Sequence, residues 1–252
     1  VSEVGLDSRV LAFASALARC RARDIPPSWQ GIGRDWGNLS AAYPTRAVAP
    51  GDPHMEVLAA RIWARGGDSG LTCYGPDDSL HTYNGADLAQ WALLAGRPAE
   101  AHRWLAGVLA HSSSTLGQAE IFSRHDGGFG ANLPPHGTAA AMLVDLIRNL
   151  LIEDSGDTVL VALGAPQAWW TGTQLTDAPT RFGVASLALS RPAPNQLVVR
   201  VTPLPVAIRV RVPDGLRAVD SSTPGARVLS GRWIDVPPRT ASVEFSVVPQ
   251  RE

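Results

Sequence analysis

The hydrophobic pattern of this chain changes its period near residue 157, and this change limits the available folds more than any other feature of the sequence. Before it, apolar residues recur every three or four positions, which is the spacing of amphipathic helices. After it, they alternate with polar residues, which is typical of a sheet with one solvated face. The sequence therefore predicts a helical domain at residues 1–156 and a small antiparallel β-sandwich at residues 157–252.

Start and stop residues delimit the predicted helices. One helix begins at Pro53, a favourable first helical residue, and two more span about Ala86–Ala95 and Pro98–His111. Gly96 and Arg97 form a link short enough to make the last two an antiparallel hairpin. The remaining predicted helices are Asp7–Arg23 and Gly137–Leu151.

In the second half, Pro and Gly residues separate short segments of alternating polarity. Arg209 and Arg211 alternate with Ile208 and Val210, so this strand has one wet face. We assign this half no site residue. The predicted strands are Thr158–Leu163, Phe182–Ser190, Gln196–Val201, Val206–Val212, Ala226–Leu229, Trp233–Val236 and Ser242–Val248.

Composition excludes several classes of function. The formal net charge is -1, so bulk charge indicates neither a nucleic-acid nor a membrane partner. No apolar run approaches the roughly 18 residues that a membrane helix needs. The six His and two Cys have no metal-ligand spacing, and no phosphate-binding or nucleotide-binding motif is present. We therefore expect no metal and no organic cofactor.

The densest group of reactive residue types lies at residues 117–137. Glu120 stands between apolar neighbours, surroundings that favour proton exchange by a carboxyl group. Arg124 lies four residues on and would orient Glu120 if the segment were helical; the alternative is a surface ion pair. His136 stands at a predicted helix start, where it either faces the same cleft or simply caps the helix.

Two long predicted loops mix aromatic and polar residues, as carbohydrate sites do. Asp35, Trp36 and Tyr43 lie in the first loop, in which the aromatic rings either stack on sugars or anchor the loop to the core. His81 and Tyr83 close the second loop. These two are suited to proton abstraction in a polysaccharide lyase, although such a group more often forms a turn with an anchoring Tyr.

Three stretches resemble the end of the six-hairpin glycosidases, the superfamily of trehalase, processing α-glucosidase and α-L-rhamnosidase types. They are GQAEIFSRHDGGFGANLPPHGTAAAMLVDLIRNLLI, DTVLVALGAPQAWW and APTRFGVASLAL. The resemblance implies an inverting glycoside hydrolase with an (α/α)6 barrel and no cofactor. It also implies that Glu120 is the catalytic base.

A complete barrel of that superfamily has more helices than this chain encodes. The resemblance thus implies the C-terminal part of an α/α toroid followed by a β-sandwich, with the N-terminal half of the same protein as a partner. Asp35 is the candidate for the second carboxylate, on its loop position alone. The expected substrate is an oligo- or polysaccharide. The alternatives are a polysaccharide lyase and a non-catalytic carbohydrate-binding or structural module.

Overall fold

A computed structural model describes residues 8–12, 15–16, 19, 39–66, 69–74, 79–129 and 134–250. The chain divides into two compact units, an N-terminal unit, Val1–Leu143, and a C-terminal unit, Val144–Glu252. The domain boundary predicted after residue 156 stays a prediction.

Four helices have defined bounds: α1 (Pro53–Gly66), α2 (Asn84–Leu94), α3 (Pro98–Ala110) and α4 (Gly137–Leu151), which crosses the division between the units. Residues 8–12 are also helical. The predicted hairpin is confirmed, because only three residues separate α2 from α3. Gly96 takes a φ of +80° there, a conformation that costs glycine little because it has no Cβ.

A small antiparallel sheet occupies part of the region that the sequence analysis treated as loop. Its strands are β1 (Thr72–Tyr74), β2 (Ser79–His81) and β3 (Ile121–Ser123), in the order β1-β2-β3. His81 on the central strand lies opposite Thr72 and Ile121. Strands of three residues are too short to show a period of two, which is why the sequence pattern did not reveal them.

Two tryptophans of the hairpin, Trp91 and Trp104, are fully buried in the N-terminal unit. Trp104 packs against the start of α2, because a Cβ built on Gly85 would lie 2.5 Å from its ring. The same Cβ would lie 3.1 Å from the Thr72 methyl group, so β1, α2 and α3 meet at Gly85. The close contact fixes where the chain leaves β2 and enters α2.

The C-terminal unit contains two five-stranded sheets, with strand orders β10-β13-β8-β7-β6 and β11-β12-β9-β5-β4. All neighbouring pairs are antiparallel except β5 and β9, which are parallel. The strands are β4 (Ile152–Ser155), β5 (Thr158–Val161), β6 (Thr171–Thr180), β7 (Gly183–Ala193), β8 (Gln196–Val201), β9 (Ala207–Arg211), β10 (Leu216–Ser221), β11 (Arg227–Leu229), β12 (Trp233–Val236) and β13 (Ser242–Pro249).

The two sheets share one hydrophobic core. Val199 and Phe245 of the first sheet and Ile208 and Val210 of the second are at most 1% exposed and belong to the same buried cluster. Trp170 lies in this core and meets Phe245 edge to face, with ring centroids 5.9 Å apart. Alternation of inward apolar and outward polar residues produces this sandwich, as the period of two predicted.

The prediction of an α/α toroid is wrong. The described part of the chain holds four α-helices with defined bounds, a 3-10 helix at Gln167–Trp170, a few further helical residues, and thirteen strands in three sheets. The helical periodicity correctly predicted α1, α2, α3 and α4, but β1, β2 and β3 lie between those helices. Most of the predicted helix Asp7–Arg23 lies outside the described residues. Helices that alternate with a sheet cannot continue the uninterrupted helical hairpins that a toroid requires.

The contact at Gly85 generates a prediction about stability. Gly85→Ala places a methyl group 2.5 Å from the buried Trp104 ring, which has no room to move away. We expect the free energy of unfolding to fall by about 1–3 kcal/mol, the usual cost of overpacking a core. Urea denaturation followed by tryptophan fluorescence measures the change.

Gly137→Ala is the matched control, because a Cβ at Gly137 meets nothing within 4 Å. Alanine is the better helix former, so this variant should be as stable as the parent or slightly more stable. Equal losses in the two variants would show that the Gly85–Trp104 contact does not limit packing.

Candidate active site

The segment that carries Glu120 is held along its backbone by Thr82, the residue after β2. The Thr82 N–H donates to the Glu120 carbonyl at 3.2 Å, and the Thr82 hydroxyl donates to the Ala119 carbonyl. Thr82 is 1% exposed, so both bonds are shielded from water. Gln118, equally buried, donates from its side chain to the Ser112 hydroxyl at 2.7 Å. The backbone of residues 118–120 is therefore held in place by contacts with Thr82 and Ser112.

His136 approaches Glu120 from the start of α4. Its backbone N–H donates to the Gln118 carbonyl at 2.7 Å, which holds it beside the Glu120 segment. Its Nδ1 accepts the N–H of Ala139 at 3.3 Å and so caps the helix. A nitrogen that accepts this bond carries no proton, so the neutral ring is protonated on Nε2.

The Nε2 of His136 lies 3.8 Å from Glu120 Oε2. This separation is longer than a hydrogen bond, so the two side chains lie next to each other without a direct bond. The Glu120 side chain is 33% exposed, so it is open to solvent or a ligand while its backbone is held in place. Such a carboxylate can accept a proton from a bound water or hydroxyl group.

Two aromatic contacts connect this pair to the end of β2. Tyr83 stacks on His136 with ring centroids 5.4 Å apart and planes inclined by 23°. The His81 ring meets the Tyr83 ring edge to face, with the two ring centroids 4.4 Å apart. The chain segments around residues 81–83, 118–120 and 136 thus converge on one place, and Glu120 is its carboxylate. We call Glu120, His136, Tyr83 and His81 the Glu120 cluster.

His81 is the buried member of the cluster, with 1% of its surface exposed. Burial, and secondarily the nearby His136, lower the pKa of His81 to about 4. It is consequently neutral at pH 7 and holds Tyr83 as an uncharged aromatic group. The substrate-binding role predicted for His81 stays a prediction.

Arg124 does not orient Glu120. Residues 121–123 form β3 and Arg124 lies in the turn after it, so the helical spacing of four residues does not apply. Its guanidinium instead donates to the carbonyl of Arg65, in the last turn of α1, at 2.6 Å. The substrate-binding role predicted for Arg124 stays a prediction.

The remaining predicted site residues are Asp35, Trp36 and Tyr43. Asp35 and Trp36 fall outside the described residues. Tyr43 is half-buried in a turn, where its N–H donates to the Leu39 carbonyl at 3.1 Å. All three stay predictions as the second carboxylate and as sugar-stacking residues.

Sequence reasoning gave no role to Thr82 or Gln118, although both hold the Glu120 segment. Thr82 stands between His81 and Tyr83, and a hydroxyl directly after a strand is a common partner for neighbouring backbone carbonyls. Gln118 carried no such signal, since a buried amide is recognisable only when its partners are known.

Within the described residues, no group of three or more His, Cys, Asp or Glu side chains could hold a metal ion. Cys73, on β1, is a free thiol. Among the same residues, no helix has the length and apolar character required to cross a membrane.

No family model matches the chain, and no curated protein matches it. Among solved structures, the chain is weakly similar to a glycoside hydrolase, the GH127 beta-arabinofuranosidase. The TM-score is 0.46 and the sequence identity is 13%, over 85% of this chain and 41% of that one. This chain thus spans about two-fifths of the length of the enzyme. The resemblance to six-hairpin glycosidases stays a prediction.

The lowered pKa of His81 predicts how stability depends on pH. The pKa is about 4 in the folded chain and 6.5 when unperturbed, so between these values the unfolded chain binds more protons. The free energy of unfolding should therefore fall as the pH falls from 6.5 to 4, by up to about 3 kcal/mol. Urea denaturation at three pH values in this window measures the slope.

His81→Gln removes the titrating ring, so its unfolding free energy should change less with pH across this window, whatever its absolute stability. His125→Gln, an exposed site in the turn after β3, is the control and should keep the parental slope. Parallel curves for His81→Gln and the parent would show that His81 does not cause the dependence.

Proposed function

We propose that the chain is a glycoside hydrolase, or the C-terminal part of one, and that Glu120 is its general base. The observation that supports this proposal is a carboxylate with a fixed backbone and an exposed head, beside the Nε2 of His136. Glycoside hydrolysis uses two carboxyl groups, of which one accepts a proton and the other donates one. Glu120 supplies the accepting group.

In the proposed reaction, Glu120 takes a proton from a water molecule, and the water oxygen attacks the anomeric carbon of the sugar. The bond from that carbon to the leaving oxygen breaks, and a second carboxylic acid protonates this oxygen. Asp35 is the candidate for that acid. His136 acts as a positioning residue, since its backbone N–H holds the Gln118 carbonyl and so keeps the segment that carries Glu120 in place.

The surroundings of Glu120 also suit a sugar. Tyr83 is half-buried and its ring stacks on His136, and aromatic rings pack against the apolar faces of sugars. The Nε2–H of His136 is a donor for a sugar hydroxyl. Thr82 fixes Glu120 relative to Tyr83, because its N–H holds the Glu120 carbonyl and Tyr83 is the next residue in the chain.

The test is release of reducing sugar from a panel of glycans by the chain and by Glu120→Gln. The variant keeps the size of the side chain and removes its basicity, so we expect at least a hundredfold loss of turnover. Its melting temperature should stay within about a few degrees of the parent, because the side chain is partly exposed.

Glu56→Gln is the control for this test, since Glu56 is a partly exposed carboxylate on α1 that pairs with Arg97, in the link between α2 and α3. It should retain parental turnover, because an exposed ion pair contributes little to stability. Equal activity of Glu120→Gln and Glu56→Gln would contradict the proposal that Glu120 is the base. No release by the parent chain would contradict the proposal that this chain alone is a hydrolase.

A second candidate is a polysaccharide lyase, which the stacking of Tyr83 on His136 favours. In this reaction Tyr83 or His136 removes the proton beside a uronate carboxylate, and the bond to the leaving glycosidic oxygen breaks as a carbon–carbon double bond forms. The leaving oxygen takes up a proton from the other of these two side chains or from water. The unsaturated product absorbs ultraviolet light, unlike a hydrolysis product. Growth of that absorbance that Tyr83→Phe abolishes would support the lyase; sugar release without absorbance would exclude it.

A further inference from the structure

The outer face of the first sheet of the sandwich carries a groove of about 410 Å³. It lies over β6, β7 and β8, at the edge of the sheet that β6 forms. The volume lies within the usual range for small-ligand sites, roughly 300–1,000 Å³. Every residue that lines the groove belongs to the C-terminal unit, so the groove is a feature of the sandwich alone.

Strand register explains the shape of the groove. Gln174, Ala188 and Arg200 lie directly opposite one another on the three strands. Neighbouring strands are about 4.8 Å apart, so Gln174 and Arg200 stand roughly 10 Å apart, with only the Ala188 methyl between them. The small central side chain leaves space between two long polar ones, and this space is wide enough for a sugar ring.

A second row of polar side chains lies two residues along each strand, on the same face. It consists of Thr176, Ser186 and Thr202, which also line the groove. The Ser186 hydroxyl accepts the N–H of Asp177 at 3.1 Å, and the Thr202 hydroxyl accepts the N–H of Ser186 at 2.9 Å. Because both oxygens already accept a backbone bond, their hydroxyl protons are available to a ligand.

The charge of the groove comes from Arg200, which is exposed and makes no ion pair or side-chain hydrogen bond with any described residue. Glu244, on β13, lies diagonally across from Arg200, and its carboxylate already accepts a bond from the Gln196 amide. The two rows of outward side chains, Gln174, Ala188 and Arg200 in one and Thr176, Ser186 and Thr202 in the other, include one cation and no carboxylate. A guanidinium in this position is suited to a bidentate contact with a carboxylate.

The remaining lining residues are Leu175, Leu187, Val201 and Ala241. Leu187 and Val201 belong to the core on the other face of the sheet, so the Ala188 methyl group is the apolar floor of the groove. An apolar floor beneath hydroxyl, amide and guanidinium donors matches a sugar ring, which has an apolar face and a rim of oxygens. We propose that this groove binds a carboxylated sugar of a uronate-containing polysaccharide, with its carboxylate on Arg200 and its hydroxyls on Gln174 and Thr202. This site is separate from the chemistry proposed for Glu120 and does not depend on it.

The test is calorimetric binding of polygalacturonate to the full chain, with fully methyl-esterified polygalacturonate as the uncharged counterpart. We expect binding of the acid form and at least a tenfold weaker affinity for the ester. Arg200→Ala should weaken binding of the acid form by about ten- to a hundredfold, since it removes a charge-assisted contact. Arg200→Lys should recover only part of this loss, because an ammonium does not form the bidentate pair.

Two further variants separate this groove from general charge attraction. Arg217→Ala removes an exposed arginine on β10, outside the groove, and should bind as the parent does. Ala188→Leu fills the gap between Gln174 and Arg200 without a change of charge and should abolish binding. Melting temperatures of all variants within a few degrees of the parent show that the sandwich remains folded.

Equal weakening in Arg200→Ala and Arg217→Ala would overturn the proposal, because it would show only non-specific attraction. Equal affinity for acid and ester, unimpaired binding by Ala188→Leu, or no binding of polygalacturonate would also overturn it. Glu120→Gln should bind with parental affinity, whether or not Glu120 proves to be catalytic. The proposal for the groove and the proposal for Glu120 therefore stand or fall independently.

Discussion

The contact between Gly85 and the buried Trp104 ring is the constraint on which the arrangement of the N-terminal unit depends. It brings the first turn of α2 against α3 and against Thr72 of β1. β2 ends at His81, and only Thr82 and Tyr83 separate it from the start of α2. Once the sheet and α2 are both fixed, these residues have no freedom to move, and they are the ones that meet the Glu120 segment.

Thr82 and His136 transmit this constraint to the carboxylate. Thr82 holds the carbonyls of Ala119 and Glu120, and His136 holds that of Gln118. Buried backbone carbonyls need hydrogen-bond donors. These bonds supply the donors, and at the same time they fix the position from which the Glu120 side chain extends. A carboxylate on a fixed backbone with an exposed head loses little conformational freedom when it acts, which is the general advantage of an organised site.

The C-terminal unit uses the two faces of its sheets differently. Inward residues such as Val199 and Phe245 form one dry core around Trp170, which provides its stability. Outward residues of β6, β7 and β8 contribute nothing to that core and are free to bind a ligand. Ala188 illustrates the difference, because a small residue on the outer face costs the core nothing and makes room between Gln174 and Arg200.

The sequence by itself determined the local elements of this protein. Pro53, Gly96 and Pro98 mark helix ends, and alternation along Ile208–Val212 marks a strand, because capping and side-chain periodicity are properties of neighbouring residues. Glu120, His136 and Tyr83 were also recognisable as reactive residue types. Their proximity was not, since they lie on segments separated by 16 to 53 positions along the chain.

Only the tertiary structure decided the rest. It replaced the toroid with a small sheet whose three-residue strands have no visible period, directed Arg124 to Arg65, and buried His81. It also placed Gln174, Ala188 and Arg200 in one row by strand register. Register, burial and contacts between distant segments arise from the packing of the whole chain, and no short stretch of sequence contains that information.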